Sequence, residues 1–135
     1  LCNWKMFGSD GHIKHPEDIR TAITCCKKDF FNETKYIFKT NLIKNSSSIW
    51  IHNLINIDYI NKKRIRIANN LIRLNHYQNQ SLEFYQKVKM TRGDASNCTV
   101  DNIRDMILFK ERDFKEICDE TLKNIILNPP INYLL

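Results

Sequence analysis

The sequence predicts an α/β domain in which a mixed sheet is flanked by helices, and three observations lead there. Apolar and β-branched residues gather at strand-like spacing over 35–43, 49–52, 55–59 and 65–67. Apolar residues recur at helical spacing as Ile19, Ala22, Ile23 and Cys26, as Leu82, Tyr85 and Val88, and as Phe114, Ile117, Cys118, Leu122, Ile125 and Ile126. Between them, Leu71, Ile72 and Leu74 read as a short buried strand that stops at His76-Tyr77, after which Ser81-Leu82-Glu83-Phe84 opens a helix. In open α/β sheets the edge where strand gives way to helix is where ligands bind.

Taken in order, residues 2–7 read as the end of a strand. Gly8-Ser9-Asp10-Gly11 is a turn, since its two glycines permit the reversal. Pro16-Glu17-Asp18 starts a helix: proline suits a first turn, and acidic side chains there meet the positive end of the helix dipole. Its stripe from Ile19 to Cys26 must pack on something. Residues 35–43 suit a strand, Asn45-Ser46-Ser47-Ser48 a loop, and Ile49-Trp50-Ile51-His52 a second strand. Ile55, Ile57 and Tyr59, then Ile65 and Ile67, alternate with polar residues around a basic turn, as in a hairpin or meander. A helix over 81–91 stops before Gly93. Another over 111–126 is ended by Asn128-Pro129-Pro130.

With 135 residues the chain has room for one small core and one domain. Its 21 Lys and Arg against 15 Asp and Glu give a net charge of +6, which suits a phosphate-bearing partner without choosing among a sugar nucleotide, a nucleic acid and an anionic membrane. The densest basic run, Lys62-Lys63-Arg64-Ile65-Arg66, reads as a solvated turn rather than an RNA-binding patch. No aromatic residue is interleaved in it to stack bases. Cys2, Cys25, Cys26, Cys98 and Cys118 are odd in number and lack Cys-x-x-Cys spacing, so neither a disulfide framework nor a zinc site is expected, and a reducing compartment is the default. Asn-x-Ser/Thr sequons at Asn32, Asn45, Asn79 and Asn97 are what chance supplies in so asparagine-rich a chain. No apolar stretch reaches membrane-spanning length, and no signal peptide is visible.

Two separated blocks carry a resemblance. The run Asn75-His76-Tyr77-x-x-x-Ser81-x-x-Phe84-Tyr85-x-Lys87, closed by Arg92-Gly93-x-Ala95, resembles the C-terminal signature of glycosyltransferase family 92 and its family 2-like relatives. Asn3-Trp4-Lys5-Met6-Phe7-Gly8-Ser9-Asp10-Gly11-His12 is similar to that family's Asn-Trp-x-x-Phe-Gly-Ser-x-Gly-His block. Weaker matches are Ile37-Phe38-Lys39-Thr40, like the strand that carries a lysine, and Phe109-Lys110-Glu111-Arg112-Asp113-Phe114-Lys115-Glu116, like the aspartate-rich C-terminal segment. The resemblance spans about residues 2–120. It implies the C-terminal half of a GT-A (Rossmann-like) glycosyltransferase domain, one partial domain over 1–135. Residues 1–12 would be its acceptor-side motif, 70–95 its His-Tyr/Arg-Gly motif and 111–127 its C-terminal helix. The nucleotide-binding half, with an Asp-x-Asp metal motif, would precede Leu1, so this chain alone is expected to be incomplete and inactive.

The implied reaction is transfer of a hexosyl group from a nucleotide-diphosphate sugar to a hydroxyl of a glycan or glycolipid, assisted by Mn²⁺ or Mg²⁺. The departing diphosphate accumulates negative charge, which a metal and fixed cations stabilise. His76 is the expected metal ligand, completing a shell whose carboxylates lie in the missing half; its alternative is an ordinary hydrogen-bonded, half-buried histidine. Lys39 and Arg92 would grip the diphosphate, Arg92 through its fork with Gly93 allowing close backbone approach, or would be plain surface charge. Gly8, Ser9 and Gly11 would face the acceptor, with Trp4 as a stacking platform for a sugar ring or simply a core residue. Asp10 and His12 are the candidates to take the acceptor's proton in an inverting reaction. His52 lines up with a family histidine but suits a structural role. Gln80 stands where the family usually has lysine, which removes one expected phosphate contact.

No nucleic-acid partner and no membrane segment are expected. The location is cytoplasmic, or membrane-associated if a missing N-terminus carries an anchor. The rival reading is a small basic non-enzymatic domain that binds nucleic acid or protein; it accounts for charge and length but for neither block. Three tempting motifs fail. An EF-hand ending at Glu17 would place Met6 and Gly8 where oxygen ligands are needed. Arg92-Gly93-Asp94, integrin-like, reads as a turn. Ser81-x-x-Phe84 lacks the Glu or Gln of a capping box.

Overall fold

A computed structural model describes residues 1–37, 49, 71–92 and 104–129. The expected loop at 45–48, the strands over 49–52 (Ile49 excepted), 55–59 and 65–67, the basic run at 62–66, His52, Lys39, Gly93 and Cys98 lie outside the described residues. In chain order the elements are β1 (Cys2–Phe7), α1 (Ile19–Ala22), β2 (Cys25–Cys26), β3 (Phe31–Lys35) and β4 (Leu74–Tyr77). Then come α2 (Leu82–Phe84), which runs on as one π-helical turn over Tyr85–Lys89, α3 (Met106–Glu111), β5 (Ile117–Cys118) and α4 (Thr121–Leu127). The strands pair in the order β3-β1-β2-β5, with β4 also paired to β1. A five-stranded sheet with flanking helices is thus present, compatible with the α/β expectation. Among the described residues no helix is long and apolar enough to cross a membrane.

The chain divides into two compact units. The first holds residues 1–5 and 30–75. In it β3 pairs antiparallel with the start of β1, placing Cys2 opposite Lys35 and Asn3 opposite Thr34, with a bulge before Trp4 meets Phe31. Of the strand expected over 35–43, residues 38–43 lie outside the described residues; the described strand ends at Lys35, opposite Cys2 at the start of β1. The Lys35 ammonium lies 5.5 Å from the Trp4 ring and that of Lys5 lies 5.0 Å from the Phe30 ring, both as cation–π contacts.

The second unit holds residues 6–29 and 76–135, and its core is Phe7, Ile23 and Cys26, packed by Ile19, Tyr77 and Ile117. Asp18 caps α1 by accepting from the Arg20 N–H at 2.9 Å. The helix is far shorter than its apolar stripe implies, and Cys26 lies in β2 rather than on it. The Thr24 and Cys25 N–H groups donate to the Asp10 carboxylate, so they cannot continue the helical ladder. The expected helix over 111–126 divides for a similar reason. Ile117 and Cys118 face Cys26 and Cys25 across an antiparallel ladder, so their stripe is split between a strand and α4. Leu71 and Ile72 are exposed rather than buried, and β4 starts at Leu74, which sets His76 inside the strand instead of just past its end.

Gly8 is where the chain leaves β1, and space alone demands glycine there. A Cβ would collide with the Phe114 carbonyl oxygen and stand 2.9 Å from Asp113 Oδ1 and 3.0 Å from the Phe114 nitrogen. Gly8→Ala is expected to destabilise the protein by about 1–3 kcal/mol, the usual cost of overpacking, because backbone must move. Equilibrium denaturation checks this; an unchanged midpoint would contradict the packing at Phe114.

Candidate functional site

The turn after β1 is pegged by two carboxylates, Asp113 from outside it and Asp10 from within it. Gly8 N–H donates to the Cys25 carbonyl at 3.0 Å, extending the β1–β2 pairing in which Phe7 faces Cys26. The next amide, Ser9, donates to Asp113 Oδ1 at 2.6 Å. Asp10 and Gly11 then turn left-handed, with φ of 51° and 80°. Aspartate tolerates that region better than most side chains, and glycine adopts it without strain. The turn closes with His12 N–H to the Ser9 carbonyl at 3.0 Å and Gly11 N–H to Ser9 Oγ at 3.2 Å. Asp10 reaches across to β2: Oδ1 accepts from Cys25 N–H at 2.9 Å, and Oδ2 from Thr24 N–H at 2.7 Å and the Thr24 hydroxyl at 3.2 Å.

This geometry separates the two expected proton acceptors. Asp10 spends its lone pairs on β2. His12 Nε2 lies 3.3 Å from the Ala22 carbonyl oxygen, which only accepts, so Nε2 is the donor and the neutral ring would carry its lone pair on Nδ1. Gly8 and Ser9 are buried, whereas Gly11 is exposed and His12 half-buried. Asp10 is half-buried like His12, so it is the hydrogen bonds to Thr24 and Cys25, not burial, that set Asp10 apart from His12.

The His-Tyr segment meets this turn directly. Leu82 N–H donates to the His12 carbonyl and Glu83 N–H to the Ile13 carbonyl, each at 2.9 Å. His15 N–H donates to Glu83 Oε2 at 3.1 Å, and the His15 ring stacks on Phe84 with centroids 5.3 Å apart. Tyr77 lies against Phe7 with ring centroids 4.7 Å apart. Ser81 caps α2 on its own, its Oγ accepting from Phe84 N–H at 3.0 Å. Gln80 is left-handed, with φ 58°, and its side-chain amide donates back to the Tyr77 carbonyl at 3.2 Å. The side chain standing in for the family's lysine is thus part of the turn. Asn79, fully buried, donates to the Phe109 carbonyl at 2.8 Å, and Tyr85 meets Phe109 edge-on. Burial pushes the Tyr85 phenol up from its ordinary range.

The expected site residues are therefore distributed as follows. Gly8, Ser9, Asp10, Gly11 and His12 form one turn in the second unit, and His76 and Arg92 belong to the same unit. His76 is half-buried with its Nδ1 closed off from solvent, while Arg92 is exposed just past the π-helical turn. Trp4 belongs to the first unit, with Lys35 over its ring. Lys39 and Gly93 lie outside the described residues. Among the described residues no group of three or more His, Cys, Asp or Glu side chains is placed to hold a metal ion. His76 would thus be a single ligand, and the residues described here do not by themselves fit Mn²⁺ or Mg²⁺. Sequence reasoning missed Asp113 and the Thr24–Cys25 amides. Ser9 and Asp113 are 104 positions apart, and the only hint was that Asp113 falls within the aspartate-rich segment.

Comparison with protein-family models, with curated proteins and with solved structures returns no match for this chain.

Asp10→Asn is expected to cost about 1–3 kcal/mol, since an amide cannot accept all the donors that now converge on two carboxylate oxygens. A chemical denaturation midpoint equal to that of the wild type would contradict the pegging role. Glu83 offers a test by pH. The Lys87 ammonium, 2.6 Å from Oε1, and then His15 N–H hold its carboxyl below the ordinary 4.5. The stabilisation from this pair is present above that ordinary value and is lost as pH falls through the lower folded one. In a carboxyl-carbon NMR titration Lys87→Ala should move the Glu83 midpoint upward. A midpoint unmoved by that change would place the cause elsewhere.

Proposed function

We propose that this chain is the C-terminal portion of a GT-A glycosyltransferase domain, acting in hexosyl transfer from a nucleotide-diphosphate sugar to a glycan or glycolipid hydroxyl. One observation carries this reading: the stretches that resemble family 92 close on one another. The 8–12 turn is bonded through His12 to Leu82 of the His-Tyr block, with Ile13 just after it bonded to Glu83, and through Ser9 to Asp113 of the aspartate-rich segment. Agreement between motif resemblance and three-dimensional contact is weightier than either alone.

In this proposal His12 takes the proton of the acceptor hydroxyl through Nδ1, since Nε2 is committed to Ala22. Asp10 and Asp113 are positioning residues that hold the turn. Gly8 and Ser9 shape it, and Gly11 leaves room beside His12. Arg92, exposed and followed by Gly93, grips the diphosphate. Trp4 remains the proposed sugar platform and Lys39 a second phosphate contact. His76 contributes one ligand to a divalent ion whose carboxylates come from outside the described residues. Such an ion, when bound, would stabilise the charge on the departing diphosphate.

The test uses the complete protein that carries this chain. His76→Ala is expected to weaken Mn²⁺ affinity about tenfold or more, at least the cost of losing an outer-shell partner, and to lower sugar-nucleotide turnover with it. His12→Gln is expected to lower turnover while leaving Mn²⁺ affinity intact. Metal affinity and turnover both unchanged in His76→Ala would remove histidine 76 from the metal site. A wild-type protein that turns over no nucleotide sugar would end the transferase reading.

A further inference from the structure

The β2–β5 ladder sets Cys25 directly opposite Cys118, with their sulfur atoms 3.7 Å apart. Both are thiols, 93 positions apart in the chain. The neighbouring pair is joined by the Asp119 N–H to Thr24 carbonyl bond at 2.8 Å, so Cys25 and Cys118 occupy a non-hydrogen-bonded pair. In antiparallel ladders that is the position where facing Cα atoms come closest, about 4.5 Å, within the range a disulfide spans. Cys118 is exposed and Cys25 half-buried behind it. Neither residue has a place in the transfer reaction proposed above, and this inference does not rest on that reading.

We propose that Cys25 and Cys118 are a peroxide-responsive dithiol that closes to a disulfide across the β2–β5 ladder. Cys118 is the thiol a peroxide meets first, because reactivity requires access. Its sulfur attacks one peroxide oxygen, the O–O bond breaks, and a sulfenic acid forms as one water leaves. Cys25 sulfur then attacks the Cys118 sulfur, the S–O bond breaks, and hydroxide departs with the Cys25 proton as a second water. Two thiols and one hydrogen peroxide thus become one disulfide and two waters. Burial first, then the Cys118 thiol and the Asp10 carboxylate, push the Cys25 thiol up to about 12. This disfavours Cys25 as the thiol that attacks peroxide, and its sulfur, 3.7 Å from that of Cys118, is placed for the resolving step. The bond would join β5 covalently to β2, the strand that Asp10 holds against the 8–12 turn. An external dithiol reverses it.

The experiment treats the reduced full chain with hydrogen peroxide at near-stoichiometric amounts, followed by alkylation and peptide mapping. The expected result is loss of two hydrogens and a linked peptide joining Cys25 to Cys118, released by dithiothreitol, with a raised thermal midpoint in the linked form. In Cys25→Ser the sulfenic acid at Cys118 should persist and be trapped by a cyclic diketone; in Cys118→Ser the linkage should vanish. Wild-type mapping stands without either variant. Linkage through Cys2, Cys26 or Cys98 instead, over-oxidation of Cys118 without a disulfide, or two unreacted thiols would each overturn the proposal.

Discussion

Two carboxylates accepting main-chain N–H groups hold the second unit to its shape. Asp113 takes the Ser9 amide at 2.6 Å, and Asp10 takes those of Thr24 at 2.7 Å and Cys25 at 2.9 Å. Charge-assisted bonds of this kind are roughly twice as strong as neutral ones, and each satisfies a backbone donor that helix or sheet does not. They act on three chain segments at once: the exit of β1, the end of α1 and the start of β2. From that follow the short first helix, the pairing of β2 with β5 and the sulfur pair on that ladder. The absence of a side chain at Gly8 belongs to the same arrangement, since the Asp113 carboxylate and the Phe114 backbone occupy the space a Cβ would need.

Contact among the blocks also gives the functional reading its physical content. Residues 8–12, 79–85 and 109–114 are distant in sequence, yet main-chain and side-chain bonds tie them into one unit. In the proposed transfer this divides the labour between two neighbours: Asp10, with its oxygens occupied, would orient, and His12, whose Nε2 donates to the Ala22 carbonyl, would use Nδ1. Residue type alone cannot make that division, because an aspartate and a histidine in one turn are equally able to act as bases until their partners are known.

What could be read in the sequence was local. The strand at 2–7, the turn at 8–11, a helix opening at Ser81 and the helical stop at Asn128 all follow from residue types within a few positions of one another. The two misread helices share one cause. Ile19, Ala22, Ile23 and Cys26 carry a helical period, as do Phe114, Ile117 and Cys118, but in both cases the main-chain donors are claimed by groups far along the chain. Periodicity records which side chains want burial and is silent about where their amides go. The same blindness hid Asp113 and the Cys25–Cys118 pair, whose members stand 93 positions apart. An odd cysteine count gave no reason to look for it.

The claim that carboxylates peg the turn is tested most directly by amide hydrogen exchange on the native protein, read residue by residue by NMR. Ser9, Thr24 and Cys25 should exchange as slowly as Lys27, whose N–H bonds the Met6 carbonyl within the β1–β2 pairing. Asp10→Asn should speed Thr24 and Cys25 selectively. If these three amides exchange at the rate of exposed loop amides while Lys27 stays protected, the carboxylates do not hold the turn and the account built on them fails.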